Sequence, residues 1–252
     1  MSAPTPGHTS WSARFRANRA RLDAAQKPGN GVPAYTRWVN RRGARLVAAA
    51  GAASGMTPNG ITFISLAFSV AGMVALVALP DRVWAGIPVA VLLATGYLLD
   101  SADGQLARLT GTSSKAGEWL DHVVDAFRTP AIHFTLALAL MVHRPHLWWL
   151  AVVAVVHGLV ASGQFLSQIL AEAFIRTGGG TQRRGGTLRS FVLLPTDPGT
   201  LCWSFLLWGL PLAHGGLYAL LTAVAIAHSA ISLTRRHADL RALDEAGKAT
   251  RA

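Results

Sequence analysis

The chain has 252 residues, 51% of them hydrophobic and only 14% charged, with 23 Lys and Arg against 12 Asp and Glu and a formal net charge of +11. Soluble proteins carry about 25% charged residues, so the composition excludes an ordinary soluble domain. The single cysteine, Cys202, excludes an intramolecular disulfide and a cysteine-built zinc site, while a basic surplus without a Lys/Arg groove interleaved with aromatics fits an anionic membrane surface and not nucleic acid.

Residues 1–31 are basic and lack an apolar core followed by a small-residue cleavage site, which argues for a disordered cytoplasmic arm and against a secretory signal. Residues 32–55 form a second unit. Within it Tyr35, Trp38, Val39, Leu46 and Val47 are interspersed with Arg37, Arg41, Arg42 and Arg45, the pattern of an amphipathic helix lying on the cytoplasmic membrane surface. A bilayer core of about 30 Å needs about 20 mostly apolar residues per helical span. Six segments qualify: Pro58–Leu79, Trp84–Leu106, Trp119–Val142, Leu147–Ile169, Leu201–Ala213 and Leu217–Leu233, the fifth being short. Turn and charge signals separate them at Pro80-Asp81-Arg82, Thr110–Ser114, His143–His146, Gly178–Gly186 and His214-Gly215-Gly216. The expected fold is an all-α integral membrane protein with six transmembrane helices in residues 56–236, an amphipathic surface helix before them and a basic cytoplasmic tail in residues 237–252.

Orientation follows from the positive charges. With the N-terminus cytoplasmic, 20 of the 23 Lys and Arg fall on that side, only Arg82 and Arg144 on the other, and Arg128 inside a span. The positive-inside rule therefore puts both termini in the cytoplasm of a multi-pass cell-membrane protein, as an even number of spans requires.

The chemistry lies at the cytoplasmic ends of the second and third spans. Asp100, Asp103, Gly104, Ala107 and Arg108 fall on one continuous helix face, and Gly117, Asp121, Asp125 and Arg128 do the same on the next helix. A carboxylate deep in a span costs about 2.5 to 3.5 kcal/mol even on the lenient insertion scale, so four in neighbouring helices call for cations to neutralise them. Oxygen-only ligands favour Mg²⁺, Mn²⁺ or Ca²⁺ over zinc, and Mg²⁺ commonly sits between carboxylates and substrate phosphates. The small side chains of Gly104 and Ala107 let a large ligand approach the backbone, and Arg108 is suited to hold a phosphate. Structural ion pairing of the acids with Arg108, Lys115 and Arg128 leaves those small residues without a reason.

The run from Asp100-Ser101-Ala102-Asp103-Gly104 through Gln105-Leu106-Ala107-Arg108, then after eight residues Gly117, Asp121 and Asp125, resembles the signature of the CDP-alcohol phosphotransferases at every fixed position. The resemblance implies a six-helix membrane enzyme of phospholipid biosynthesis, a homodimer with its active site on the cytoplasmic side. It implies that Asp100, Asp103, Asp121 and Asp125 hold two divalent cations, Mg²⁺ or Mn²⁺, that Gly104, Ala107, Arg108 and Gly117 line the CDP-alcohol site, and that Asp125 is the catalytic base. The Thr57-Pro58-Asn59 start of the first span also resembles family members, which places Asn59 near the nucleotide. The reaction expected is attack by an acceptor hydroxyl on the phosphorus bearing the alcohol part of a CDP-alcohol, with release of CMP. The favoured donor is CDP-diacylglycerol. Ser113-Ser114, Gly117-Glu118 and Asp121-His122 also resemble the choline and ethanolamine phosphotransferases, whose soluble CDP-alcohol donor and diacylglycerol acceptor form the alternative. A cation transporter is the alternative from another class, disfavoured by Arg108 in the acidic stripe.

Arg128, an intramembrane guanidinium that needs an anionic partner, is a candidate for binding a phosphorylated acceptor, with Lys115, Arg183 and Arg184 completing the pocket. A helix-to-helix tie is the competing role. His157, Gln164, Gln168 and Glu172 form a near-common face, suited either to a polar cavity for the acceptor or to interhelical hydrogen bonds, and His122 and His133 lack metal-spaced partners and suit packing. The glycine-rich stretch Gly178–Gly186 lacks the Gly-Lys-Ser/Thr ending of a phosphate-binding loop and reads as a flexible connection.

Overall fold

The computed structural model describes residues 10–24, 31–177 and 186–249, with side chains up to residue 246. Their regular secondary structure is all helical, with α1 at Trp11–Ala24, α2 at Arg41–Ala53, α3 at Pro58–Ala78, α4 at Gly86–Thr110, α5 at Lys115–His143 and α6 at Trp148–Thr177, followed by α7 at Thr187–Val192, α8 at Pro198–Ser204 and α9 at Pro211–Ala249. Among the described residues five helices are long and apolar enough to cross a membrane: α3, α4, α5, α6 and α9, with α4 and α6 each extended by a short 3₁₀ turn at the start. Their outward faces carry Phe63, Val70, Ile87, Phe127, Phe134 and Leu138, all exposed, as expected of side chains that meet hydrocarbon. Between the helices lies a core of Leu76, Leu93, Leu136, Leu140, Leu150 and Tyr218.

Two departures from the sequence expectation concern the C-terminal third. The sequence places a fifth span at Leu201–Ala213 and a turn at His214-Gly215-Gly216. Instead α8 runs into a 3₁₀ turn at Phe205–Leu207, the chain breaks at Trp208-Gly209-Leu210, and Pro211 opens α9, which passes through His214, Gly215 and Gly216 without interruption. The break is steric: a Cβ on Gly209 would collide with the backbone of Val83, and Pro211 cannot continue a preceding helix because it lacks the N–H. At Gly215 α9 packs closely on α6, a Cβ there lying 3.2 Å from Leu150 Cδ2. Residues 237–249, read from sequence as part of a basic tail, continue α9. At about 1.5 Å per residue its 39 residues reach roughly 58 Å, well beyond a bilayer core.

The interrupted segment from α7 to Leu207 is tied to other parts of the fold along its length. Ser190 receives a hydrogen bond from Arg37 and Asp197 from Thr36, at one end, whereas the Trp208 carbonyl receives one from Arg144 at the other. Arg144 is 3% exposed; it also pairs with Asp81 and lies over the Trp208 ring at 4.3 Å, so it joins the α3–α4 connection, the α5–α6 connection and the α8–α9 break.

The N-terminal expectation also changes. Within residues 1–31, read from sequence as a disordered arm, Trp11–Ala24 is helical and docks on α2: Trp11 Nε1 donates to Ser54 Oγ, Arg14 to the Ala53 carbonyl and Arg21 to the Leu109 carbonyl. In residues 32–55, a π-helical turn at Thr36–Asn40 leads into α2, whose Ala44, Ala48 and Ala49 are buried against α4.

Candidate active site

The site is built where the C-terminal end of α4 reverses sharply into the N-terminal end of α5. Gly111 caps α4 at φ +69, a left-handed conformation open to glycine at little cost, and Ser114 caps α5 by accepting from the Gly117 N–H at 3.0 Å. The two acidic faces are thereby turned toward one another. Carboxylate oxygens of Asp100, Asp103 and Asp121 all lie within 4.8 Å of one another.

Each carboxylate is held differently. Asp103, 5% exposed, accepts from Thr62 Oγ1 and from the Gly104 N–H, both at 2.5 Å. Asp100 and Asp125 both accept from Arg128 Nη2, while Arg128 Nη1 donates to Ser65 Oγ at 2.8 Å and Ser65 in turn donates to the Gly96 carbonyl at 2.8 Å. Gly96 has to be glycine for this, because a Cβ there would come within 3.0 Å of the Ser65 carbonyl oxygen. The Asp121 carboxylate has no hydrogen-bond or ion-pair partner among the described residues.

Three cavities open onto these acids. The largest, about 750 Å³, is lined by Asn59, Gly104, Ala107, Arg108 and Gly117 together with Asp103 and Asp121. All five residues that the sequence assigns to the CDP-alcohol thus share one cavity. A Cβ at Gly117 would stand 3.2 Å from Ser114 Oγ and 3.7 Å from Asn59 Oδ1, and one at Gly104 3.4 Å from Arg108 Nη1, so bulk at either position would take up ligand space. A second cavity of about 360 Å³ has Asp100, Asp103 and Asp121 on one wall and Arg21, Arg41 and Arg108 on the others. Burial lowers the pKa of the Arg41 guanidinium from its ordinary value, with Tyr97 opposing and Arg37 adding to the shift. A third cavity, about 410 Å³ and more apolar, lies deeper in the bundle, reaching Asp100, Asp125 and Arg128 at one side and His157, Gln164 and Gln168 at another.

The four acceptor candidates are not brought together. Arg128 faces the deep cavity, Lys115 lines the largest one, and Arg183 and Arg184 lie outside the described residues, as do Gly178–Gly185 of the glycine-rich stretch. On α6, His157 hydrogen-bonds Thr222 at 2.9 Å and Gln164 donates to Ser232 at 3.0 Å, so both tie α6 to α9 while also lining the deep cavity. His133 hydrogen-bonds Tyr218 and stacks on His157 at 4.0 Å, and His122 lies edge-on to Phe165. Sequence reasoning misses Thr62, Ser65, Arg21 and Arg41. Thr62 and Ser65 were detectable as polar residues within the apolar run Pro58–Ala78, but the arginines had no signal that separated them from other surface charges.

Fold and site together define a helical membrane protein that keeps a partly buried, all-oxygen acidic centre at the junction of three cavities. The chain belongs to the CDP-alcohol phosphatidyltransferase family, whose profile matches residues 55–231. It is 38% identical over 87 residues to the archaetidylinositol phosphate synthase of Pyrococcus horikoshii, covering 34% of this chain and 44% of that protein. It is 36% identical over 113 residues to a bifunctional IPC transferase and DIPP synthase of Archaeoglobus fulgidus, covering 44% of this chain and 21% of that protein. The chain therefore spans less than half the length of these curated relatives. Members of the family use divalent cations. The donor set here fits such ions, because three carboxylates converge and the Asp121 carboxylate accepts no hydrogen bond or ion pair among the described residues.

Proposed function

We propose that this protein is an enzyme of phospholipid biosynthesis that transfers the phosphatidyl group of CDP-diacylglycerol to the hydroxyl of an acceptor alcohol, releasing CMP. The observation that carries this reading is the convergence of Asp100, Asp103 and Asp121 on the wall of the cavity lined by Asn59, Gly104, Ala107, Arg108 and Gly117. The nucleotide lies against the bare backbone of Gly104 and Gly117, and Arg108 binds its diphosphate. Asp100, Asp103 and Asp121, with Asp125 as the fourth candidate ligand, hold two divalent cations, Mg²⁺ or Mn²⁺. Such ions, when bound, supply charge stabilisation to the phosphate oxygens of an in-line displacement. Asp125 takes the proton of the acceptor hydroxyl, whose oxygen forms the new bond to phosphorus as the bond to CMP breaks.

A lipidic donor is supported by the apolar deep cavity beside Asp125 and by the name of the Pyrococcus relative, which gives a product carrying an archaetidyl group. The same name contains inositol phosphate, which supports an anionic acceptor. A soluble CDP-alcohol with diacylglycerol as acceptor is the second reading, supported by Ser113, Glu118 and His122, which line the largest cavity. The interrupted segment α7 to Leu207 supplies a sixth crossing, so that both termini and the active site are cytoplasmic, and the protein works as a homodimer in the cell membrane.

The test is release of CMP by the purified protein with Mg²⁺ or Mn²⁺, from CDP-diacylglycerol with a panel of acceptors and, separately, from CDP-choline or CDP-ethanolamine with diacylglycerol. Turnover only with the soluble donors would replace the first reading by the second. No CMP from any donor would remove both.

A further inference from the structure

The cavity of about 360 Å³ contains two arginines that the family profile does not reach. Arg21 comes from α1 and Arg41 from the start of α2, both before the matched region 55–231. Among the described residues Arg41 has no carboxylate partner, and it lies near enough to Arg108 for the two guanidiniums to repel. Arg21 spends one N–H on the Leu109 carbonyl, 3.1 Å away, near the end of α4, which fixes it at the cavity rim. The rim is firm because α1 is tied down by Trp11 and Arg14, and α2 by Gln105 Nε2, which donates to the Arg41 carbonyl at 3.2 Å. Three guanidiniums held around one polar space, two of them repelling, make a receptor for a multivalent anion. The volume is at the small end for organic ligands. It lies beside the nucleotide cavity, sharing with it Asp103, Gly104, Arg108 and Asp121. Arg128 is not available for this role: it is 7% exposed and bonded to Asp100, Asp125 and Ser65.

We propose that Arg21 and Arg41 form the subsite for a phosphate group carried by the acceptor alcohol, which reaches the acids from the α1–α2 side while the donor nucleotide occupies the cavity at the α4–α5 turn. This rests on the transferase reading for its kinetic consequence but not for binding. The α1 helix is then part of the active site, and specificity for a phosphorylated acceptor is set by residues outside the catalytic signature.

The experiment compares full-length wild type with Arg21→Gln and Arg41→Gln in two arms. In the binding arm, inositol 1-phosphate and sn-glycerol 3-phosphate, with inositol and glycerol as uncharged controls, are titrated without any CDP-alcohol. In the kinetic arm, KM is measured for donor and for acceptor. The expected result is binding of the phosphorylated probes only, weakened about tenfold or more in each variant, and an equal rise in acceptor KM with donor KM within about twofold. A rise in donor KM with acceptor KM unchanged would assign these arginines to the diphosphate instead and overturn the proposal, as would no change in either. Binding that depends on Arg21 and Arg41 in a protein that never releases CMP would uphold the subsite and refute the transferase reading. If Arg41→Gln unfolds, Arg21→Gln decides, since the α1 anchors at Trp11 and Arg14 remain.

Discussion

Arg128 on α5 donates to Asp100 across the helix interface on α4, and with the same nitrogen to Asp125 one turn before it. This single guanidinium offsets two of the four signature carboxylates and is itself fixed by Ser65 on α3. Truncating one member of a buried ion pair costs about 3–5 kcal/mol because the partner charges remain buried. Arg128→Gln is therefore expected to lower the unfolding temperature of metal-free protein substantially, and added Mg²⁺ to restore more stability than it gives wild type. Equal Mg²⁺ stabilisation in both proteins would contradict this arrangement.

Asp121 behaves oppositely, since its carboxylate has no partner among the described residues and faces Asp100 and Asp103. Asp121→Asn removes repulsion without breaking a bond. We expect it to unfold at or above the wild-type temperature without metal, to lose stabilisation by Mg²⁺ or Mn²⁺, and to release CMP at least ~100-fold more slowly. A melt of each protein with and without metal, paired with a CMP assay, checks all three.

Thr62 donates to Asp103 at 2.5 Å from a neighbouring helix. Thr62→Val keeps the shape but leaves Asp103 free to turn, with an expected loss in kcat of about tenfold, the range for an interaction with a charged group. Thr62→Ser should retain most activity. Similar rates in both variants would show that the hydroxyl does not position the carboxylate.

Gly104 and Gly96 separate binding from folding. A Cβ at Gly104 lies on the wall of the cavity proposed for the nucleotide, so Gly104→Ala should raise donor KM with little change in stability. At Gly96 it meets the Ser65 backbone, so Gly96→Ala should destabilise by about 1–3 kcal/mol, the cost of overpacking, and disturb the Ser65–Arg128 bond. Thermal melts and Michaelis constants of the two variants check the contrast.

The proposed sixth crossing makes a topological prediction. Single cysteines at Ser12→Cys and Ala238→Cys, in a Cys202→Ala background, should react with an impermeant thiol reagent from the same side of a sealed vesicle, and His146→Cys from the other. Labelling of positions 12 and 238 from opposite sides would leave the protein with an odd number of crossings.

The acidic centre was legible in the sequence because helical period alone aligns Asp100 with Asp103 and Asp121 with Asp125, and the short turn at Gly111 forces their faces together. The proposed interrupted crossing was not. Its polar Asp197 and its prolines Pro195 and Pro198 dilute the apolar run, while Pro211–Ala213, which does look like the end of a span, belongs to the next helix. The α1 helix was hidden for another reason. It is held by side chains that reach backbone carbonyls at the ends of other helices, Ala53 and Leu109, and such contacts have no period in sequence.

The Arg144 clamp has a mechanical consequence. It fastens three inter-helix connections at the end of the bundle remote from the acids, through Asp81 and the Trp208 carbonyl. If α5 and α6 spread from α3 and α4 to admit a lipid, that end serves as the pivot, and a small angular change there becomes the widest displacement at Asp121 and the α4–α5 turn.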